Sequence, residues 1–313
     1  MQKFTTQTML EIITTLQEKL QLMEVHDTLE FEVFNPDLVH TLYSGTLYTL
    51  EDETYIYRSY KSWFELAQLL YCKMLTPKEH STSTVLIRFI KLDKDASFHK
   101  VILDKEEKYG ESSIFNEIHK NEESSFIYYY TQALKNVKLD SRVKILNLGV
   151  NSGDEFDAII ALSQNFHNLE LVGIDYTQSA IEAAKKKFQD YANISFYTHN
   201  INDLESLALG EFDLIISIGT LQSTNLSFNE VLMNIVQKHL KRDGALILGF
   251  PNCRWIDGEM IYGARVKNYP FSEMGLLYKD VIFAKKYMQQ KKFRVTITGK
   301  DYIFLTATSI KKN

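Results

Sequence analysis

Short apolar runs alternate with amphipathic stretches along the C-terminal two-thirds of the chain. The runs predict five strands, VKILNLGV (143–150), LELVGIDY (169–176), ISFYTHN (194–200), FDLIISIG (212–219) and GALILGF (244–250). The amphipathic stretches predict helices at 154–166, 178–191 and 228–240. Strands that alternate with helices are typical of a parallel sheet covered by helices on both faces.

A last helix is predicted at about 276–292, and two apolar runs follow it, FRVTITGK (293–300) and DYIFLTATSI (301–310). Parallel neighbours need a crossover of about a dozen residues. Almost nothing separates these two runs, so they must pair as antiparallel neighbours. The predicted fold class is therefore α/β, a Rossmann-like, doubly wound, mostly parallel seven-stranded sheet with a C-terminal antiparallel hairpin.

The N-terminal part has a different pattern, which predicts a helix at 5–24, extended segments at 29–34, 46–50 and 54–59, a helix at 61–74 and strands at 83–92 and 97–103. Glycine use changes as well, since only Gly45 precedes Gly110. Glycine serves where the backbone needs φ > 0 or approaches a ligand closely. We therefore place a domain boundary near residue 108. Residues 1–108 are predicted to form a smaller α+β accessory domain for substrate selection or dimerisation, and 109–313 the sheet domain.

Composition and charge limit the possible partners. The formal net charge is −5 and the pI about 5.9, which argues against holding long nucleic acid through unspecific phosphate contacts. Residues 1–20 are amphipathic, which is typical of neither a signal peptide nor a membrane span. Two cysteines alone form neither a disulfide framework nor a zinc site. We expect a cytoplasmic protein with no membrane partner and no metal.

The turn after the first predicted strand carries the first candidate chemistry. It reads Leu-Gly-Val-Asn-Ser-Gly (148–153), and Asp154 and Glu155 open the helix that follows. Gly149 and Gly153 suit a tight turn, and Asn151 tolerates left-handed geometry. Nucleotide enzymes of several classes use such turns, but a diphosphate needs a helix N-terminus without negative charge. Two carboxylates there favour a positively charged, phosphate-free nucleoside, although they also simply suit the helix dipole.

The ends of the next two predicted strands carry polar groups that suit such a nucleoside. Asp175 ends the second strand, where a carboxylate is able to accept both ribose hydroxyls. It also suits a solvated strand end or a cap of the next helix. Asn200 and Ile201, after the third strand, offer an amide and a backbone N–H that suit the edge of adenine.

Taken in order, the segments ILNLGVNSGDEF, LVGIDYTQSAIEAAKKK, FYTHNINDL, FDLIISIGTLQS and LKRDGALILGF resemble the successive motifs of class I S-adenosylmethionine-dependent methyltransferases. The resemblance covers roughly residues 110–313. It implies that residues 109–313 form a methyltransferase domain, with S-adenosyl-L-methionine as cofactor and S-adenosyl-L-homocysteine as product. Each motif alone is unspecific, but the ordered set is specific to this class.

The resemblance also assigns residues to the cofactor. Residues 149, 151 and 153 would wrap the methionine part of the cofactor. The residues at the ends of the second and third strands would bind its nucleoside, and those at the end of the fourth strand would line the floor of the site. The predicted cofactor-binding set is Asn147, Gly149, Asn151, Gly153, Asp175, Tyr176, Asn200, Ile201, Ile218 and Gly219. Two positions depart from the family. Asn147 stands where relatives usually have an acid, and Gln222-Ser223 replaces a Glu-His pair found in relatives acting on small molecules.

The acceptor site is predicted in the long connection after the fifth strand, Pro251 to Gly275. Long irregular segments in compact domains are usually functional or disordered, and its aromatic content argues against disorder. Arg265 and Lys267 would bind an anionic group, and Tyr262 and Gln222 complete the predicted catalytic set. The resemblance also implies that the region 113–136, which precedes the first strand of the sheet, covers the cofactor, with Phe115, Ile118, Phe126 and Tyr129 closing over it.

Three functions follow from these observations. The first is methyl transfer to an O or N atom of a small, anionic acceptor. The second is methylation of an RNA base, in which Arg58, Lys61 and Trp63 of the N-terminal domain contact the RNA. The third is a non-catalytic protein that keeps the fold and the S-adenosylmethionine site, with the N-terminal domain serving docking or homodimer formation.

Overall fold

A computed structural model describes residues 1–96, 117–223, 226–264 and 272–310. The chain forms two compact units. The first contains Met1–Lys100 and Trp255–Tyr262, and the second contains Val101–Arg254 and Gly263–Asn313. The predicted boundary near residue 108 and the predicted strand 97–103 lie outside the described residues. Within the described ranges, none of the helices has both the length and the apolarity that crossing a bilayer requires.

The N-terminal part of the first unit contains a mixed sheet and a separate hairpin. Its strands are β1 Gln2–Lys3, β2 Thr28–Phe34, β3 Leu47–Leu50, β4 Glu53–Ile56, β5 Cys72–Met74, β6 Lys78–Glu79 and β7 Thr84–Lys91, and its helices are α1 Met9–Gln21 and α2 Tyr60–Leu69. The sheet has the order β1-β2-β7-β5, with β6 also paired to β7, and β3 and β4 form the hairpin. The predicted helix at 61–74 is too long, because the backbone leaves helical geometry at Tyr71 (φ 57°) and continues as β5.

The core of the first unit surrounds Phe31 of β2. The Phe31 ring makes edge contacts with Trp63 of α2 and Phe89 of β7, at centroid distances of 5.6 and 5.2 Å. α1 begins at a capping box, in which Thr8 and Glu11 satisfy each other's backbone N–H groups. Aromatic packing of this kind buries Trp63 almost completely, at 1% exposure.

The second unit contains the predicted seven-stranded sheet. Its strands are β8 Lys144–Leu148, β9 Glu170–Asp175, β10 Ile194–Thr198, β11 Phe212–Ile218, β12 Leu240–Pro251, β15 Phe293–Gly299 and β16 Tyr302–Ser309, and its helices are α3 Ser124–Asn136, α4 Asp154–Leu162, α5 Gln178–Lys187, α6 Phe228–Lys238 and α7 Gly275–Gln290. The strands lie in the order β10-β9-β8-β11-β12-β16-β15. Strands β8 to β12 are parallel, whereas β16 pairs antiparallel with both β12 and β15. The predicted fold class is confirmed.

Both faces of this sheet are buried, as the strand pattern predicts. Along β8, Ile145 packs with α3, α4 and α5, whereas Leu146 and Leu148 pack with α6 and α7. Asn147 shares its face with Ile145 and is completely buried. A polar side chain in the middle of an apolar sheet needs hydrogen-bond partners, and Asn147 has one in Glu155 of α4.

The connection after β12 is partly regular, and the prediction of a long irregular segment is wrong for its first part. That part is a hairpin of β13 Cys253–Ile256 and β14 Glu259–Tyr262, and Trp255–Tyr262 pack within the first unit. Asp257 at the hairpin turn accepts a hydrogen bond from the backbone N of Asp93 (2.9 Å), and Glu259 pairs with Lys73. The turn residues Asp257 and Gly258 both have positive φ, which is the geometry that a tight hairpin requires.

Candidate functional site

The glycine loop, residues 149–153, leaves β8 in the geometry that its sequence predicts. Gly149 and Gly153 have φ values of +73° and +90°, and Asn151 has φ +46°. A Cβ atom on Gly149 would collide with Oγ1 of Thr220, which follows β11. The loops after β8 and β11 therefore approach each other so closely that only glycine fits at position 149.

Asp175 joins the glycine loop to the end of β9. Its Oδ2 accepts from the backbone N of Asn151 (3.0 Å), and its Oδ1 accepts from the backbone N of Thr177 (2.9 Å). The residue is half-buried, and each carboxylate oxygen has capacity for a second donor. Asp175 thus has a structural role at the strand end, and it retains acceptor capacity for ribose hydroxyls. Tyr176 beside it is 56% exposed.

The remaining predicted cofactor residues lie at the same edge of the sheet. Asn200 follows β10, and its Oδ1 accepts from the backbone N of Asn202 (2.9 Å), which caps a 3-10 helix. Ile201 is buried at 7% exposure. After β11, Ile218 is buried, and Gly219 has φ +75° with its N–H donated to the carbonyl of Gly249. Each residue is where its strand predicts, but its contact with a cofactor stays a prediction.

Asn147 belongs to a group of polar residues that we call the β8 cluster: Lys120, Asn121, Asn147 and Glu155. Asn147 Nδ2 donates to Glu155 Oε2 (3.2 Å), and Lys120 Nζ donates to Glu155 Oε1 (2.7 Å). Glu155 is only 1% exposed, and the Lys120 side chain 14%. Burial by itself lowers the pKa of Lys120, but the charges of Glu155, Asp154 and Asp175 and the hydrogen bond to Glu155 together outweigh burial, so that this pKa lies above its ordinary value.

The role of this cluster is not predicted from the sequence. From the sequence, Glu155 is interpreted only as an acid at the start of a helix. Lys120 and Asn121 fall in the region 113–136, which is predicted to cover the cofactor, and neither is given a role. Their contacts join residues far apart in the chain, and no local motif records such contacts.

Phe126, predicted to close over the cofactor, instead packs in the core against Tyr302 and Phe304. Ile118 and Tyr129 are half-buried, and Phe115 lies outside the described residues.

A second polar group, the β12–β16 cluster, comprises Ser125, Asn252 and Asp301. Ser125 Oγ donates to Asp301 Oδ2 (2.6 Å), and Asn252 Nδ2 donates to the carbonyl of Lys300 (3.1 Å). Asn252 and Asp301 are 3% and 5% exposed. Oδ1 of Asn252 is buried and has no hydrogen-bond partner within the described ranges. Two buried acceptors thus lie beside the end of β12 and the start of β16.

Backbone hydrogen bonds connect this cluster to Gly263, and Ala264 to Glu273. The N of Gly263 donates to the carbonyl of Asn252, and the N of Glu273 donates to the carbonyl of Ala264, both at 2.8 Å. The described residues Ala264 and Glu273 are therefore neighbours, and Gly263 lies beside Asn252. Arg265 and Lys267, our predicted anion-binding residues, lie in the segment 265–271, outside the described residues.

The other two predicted catalytic residues belong to different units. Tyr262 ends β14 in the first unit and is 40% exposed, whereas Gln222 follows β11 in the second. Oε1 of Gln222 is buried without a partner in the part of the chain that the structure describes. Cys253 is not a nucleophile at neutral pH, because burial and the charge of Asp301 raise the pKa of its thiol to about 12.

Two of the three residues predicted to contact RNA, Arg58 and Trp63, are buried in the first unit. Trp63 packs against Phe31, and Arg58 is 6% exposed with its guanidinium donating to the carbonyl of Gln7. Lys61 is exposed and pairs with Glu65. Trp63 therefore has no exposed face on which a base could stack. The described residues contain no group of three or more His, Cys, Asp or Glu placed to hold a metal ion.

A family model matches a large part of the second unit. The family model described as "Methyltransferase domain" matches residues 139–297, half of the chain. The chain therefore belongs to this family, and the prediction of a class I S-adenosylmethionine-dependent methyltransferase, with that cofactor, is confirmed. The match begins just before β8 and ends within β15, so it covers both the glycine loop and the connection after β12.

Individual relatives are distant. The carboxy-S-adenosyl-L-methionine synthase of Helicobacter pylori (strain G27) is 28% identical over 158 residues, which are 49% of this chain and 63% of that protein. This chain thus spans less than two-thirds of the length of that curated relative. Among solved structures, the N-methyltransferase NodS of Bradyrhizobium japonicum with S-adenosyl-L-homocysteine is 15% identical, with a TM-score of 0.43 over 61% of this chain and 91% of that one. The family assignment rests on the family match and not on this structure.

Proposed function

We propose that this chain transfers the methyl group of S-adenosylmethionine to an O or N atom of a small, anionic acceptor. The observation that carries the proposal is the β12–β16 cluster. Asp301 and Asn252 present buried acceptor oxygens, and the backbone of Asn252 accepts a hydrogen bond from Gly263, which precedes Arg265 and Lys267 in the sequence. Acceptor oxygens suit an N–H or O–H nucleophile, and the two cations suit an anionic group of the same molecule.

The loops after β8, β9 and β10 fit the cofactor. The glycine loop would bind the methionyl part, Asp175 the ribose, and Asn200 with the N–H of Ile201 the adenine. Asp154 and Asp175 put negative charge beside the glycine loop, which suits a cationic nucleoside and opposes a diphosphate. The chemistry supplied there is methyl transfer from a sulfonium, a group that leaves without activation.

This chain's own residues then have two tasks in the reaction. The cofactor loops and the β12–β16 cluster align donor and acceptor, which is the main requirement for an in-line displacement. Asp301 and Asn252 hold the nucleophile through its hydrogen. Asp301, as a carboxylate, is able to take up the proton that the nucleophile releases.

The test is incubation of the protein with S-adenosylmethionine labelled in the methyl group and with fractionated cell extract. We expect label in a low-molecular-weight product that binds an anion-exchange resin. Release of labelled methanol in mild base identifies a methyl ester, whereas stable label identifies an ether or an N-methyl group. Label that enters only RNA, and that nuclease digestion releases as nucleosides, would replace this proposal with the RNA alternative.

The names of the distant curated relatives suggest a second candidate, a reaction in which a carboxyl group leaves a donor molecule and replaces one hydrogen of the cofactor's methyl group, while that hydrogen returns to the donor as a proton. Arg265 and Lys267 are also compatible with an anionic co-substrate for such a reaction. Mass spectrometry of the adenosyl product separates the two candidates. Methyl transfer yields S-adenosylhomocysteine, whereas the second reaction yields a sulfonium that is heavier than S-adenosylmethionine by the added carboxyl group.

A further inference from the structure

Positive charge is concentrated in one stretch of a chain that is acidic as a whole. Residues 279–300 contain seven lysine and arginine side chains and one carboxylate, that of Asp280, although the formal net charge of the chain is −5. The stretch consists of most of α7, of β15 and of the turns on either side of β15. We call the surface that carries the seven cations the basic edge: Lys279, Lys285, Lys286, Lys291, Lys292, Arg294 and Lys300.

The basic edge lies at one margin of the second unit. β15 is the last strand in the sheet order, and α7 packs beside it in a shared apolar core. All seven cationic side chains are exposed. Lys279 has Asp280 beside it, and Lys300 pairs with Asp301, whereas the other five form no ion pair with a carboxylate in the part of the chain that the structure describes. Most of this positive charge is therefore directed at solvent.

Two apolar side chains of α7 stand among these cations. Tyr278 and Ile282 are 55% and 48% exposed. A spacing of four residues puts both on one face of the helix, and Lys285 and Lys286 continue that face over the next turn. The opposite face of α7 is buried in the core. The exposed row is therefore the surface that α7 offers to a partner.

β15 adds a third exposed apolar side chain on the same side of the sheet. Ile297 is 40% exposed. It alternates along β15 with Phe293 and Val295, which pack in the core that contains the buried residues of α7. Single exposed apolar side chains are common on protein surfaces. Three of them on one strongly basic surface indicate a partner that is both anionic and apolar.

The exposed isoleucines distinguish between the anionic partners that lysine binds. Lysine and arginine bind the phosphates of nucleic acids and of lipids alike. Isoleucine has neither a ring on which a base stacks nor a donor for phosphate or ribose. At a membrane surface, apolar side chains enter the boundary between headgroups and acyl chains, and tyrosine is enriched at this depth. The composition of the basic edge therefore favours anionic lipid over RNA.

We infer that the basic edge binds the surface of a membrane that contains anionic lipids. The lysines contact lipid phosphates, and Tyr278, Ile282 and Ile297 enter the headgroup region. Such peripheral binding needs no membrane-spanning helix, and none is found within the described ranges. The expectation of no membrane partner is based on residues 1–20, which belong to the other unit. The inference is independent of the proposed function, because it uses none of the cofactor or acceptor residues.

The test measures co-sedimentation of the full chain with vesicles of phosphatidylcholine, either alone or mixed with an equal part of phosphatidylglycerol. At about 0.1 M salt, we expect at least about tenfold tighter binding to the anionic vesicles, from the usual energy of several lysines at an anionic surface. Binding should fall at about 1 M salt, where charges are screened beyond about 3 Å. Equal binding to both kinds of vesicle would overturn the proposal.

Charge reversal within the basic edge is compared with the same reversal elsewhere. Lys285→Glu combined with Lys286→Glu should weaken binding to the anionic vesicles at least about tenfold. Lys185→Glu combined with Lys186→Glu is the matched control, because both lysines are exposed on α5, which has no large exposed apolar side chain. The control should weaken binding less than about threefold. Both double variants should bind S-adenosylhomocysteine like the unmodified protein, which checks their folding. Equal loss of vesicle binding in the two would contradict a role for this particular surface.

Ile282→Ser separates docking on lipid from attraction to any polyanion. It should weaken binding to the anionic vesicles about threefold or more, because apolar area is lost from the contact, and leave binding of a single-stranded RNA unchanged. If Ile282→Ser binds the vesicles like the unmodified protein, only unspecific attraction between opposite charges remains and the proposal fails. Unmodified protein that binds the RNA through Lys285 and Lys286 but does not bind the vesicles would assign the basic edge to RNA instead.

Discussion

The glycine loop and the β12–β16 cluster, two polar regions of the second unit, differ in how the chain builds them. At the glycine loop, the backbone makes most of the contacts, through positive φ at Gly149 and Gly153 and an N–H group directed at Asp175. In the β12–β16 cluster, the side chains of Ser125 and Asn252 contact Asp301 and the backbone of Lys300, respectively, across long stretches of chain. Backbone geometry leaves a local signature in the sequence, and a cluster of distant side chains does not.

The largest effect that would test this comparison is expected at Gly149. Gly149→Val combines a positive φ with a collision at Thr220, so we expect a loss of about 2–4 kcal/mol in the free energy of unfolding and no measurable binding of S-adenosylhomocysteine. Gly210→Val is the control, because Gly210 also has positive φ (+74°) but has no atom within 4 Å of a Cβ. If both variants bind the ligand equally poorly, close approach at position 149 is not the cause.

A smaller effect is expected at Asp175. Asp175→Ala removes the proposed ribose contact and two backbone hydrogen bonds, so we expect affinity for S-adenosylhomocysteine to fall by about 1–3 kcal/mol. Asp175→Asn keeps one acceptor oxygen, so its affinity for S-adenosylhomocysteine should lie between those of the unmodified protein and Asp175→Ala. Asp190→Ala makes the same substitution at an exposed position and is the matched control. Calorimetry that finds Asp175→Ala unchanged would remove the ribose assignment.

In the β12–β16 cluster, we expect effects on turnover without effects on cofactor binding. Asp301→Asn keeps an oxygen for Ser125 and loses the negative charge, so the rate of label transfer should fall about tenfold or more. Arg265→Ala should also lower the rate of label transfer. In both variants the affinity for S-adenosylhomocysteine should stay within about twofold. A parallel loss of affinity would show that the two regions are not separate sites.

The smallest effect concerns pH and Cys253. Burial and the charge of Asp301 raise the pKa of this thiol from 9.0 to about 12. Between these values the unfolded chain loses the thiol proton and the folded chain keeps it, so stability falls as pH rises above about 9, by at most about 1.4 kcal/mol per pH unit. Urea unfolding should show a shallower fall between about pH 9 and about pH 10 in Cys253→Ala. Identical slopes in the two proteins would contradict the shift.

The strand and helix pattern predicted most of the second unit, since period, length and breaks are local properties. It also located the glycine loop, Asp175 and Asn200, because each follows directly from the end of a strand. It did not predict that Lys120 neutralises Glu155 or that Asp301 accepts from Ser125, because these contacts depend on how α3 packs. The hairpin of β13 and β14 was missed for the same reason, as its partners in the first unit lie far before it in the chain.

That hairpin has a consequence for dissecting the protein. Ile256 and Ile261 form a small buried cluster with Leu92 of the first unit, although most of that unit precedes residue 101. A fragment ending at residue 100 would expose Leu92 and leave the backbone N of Asp93 without Asp257. The N-terminal part is therefore not a module that can be cut off or exchanged as one continuous piece, and grafting it onto another scaffold would require residues 255–262 as well.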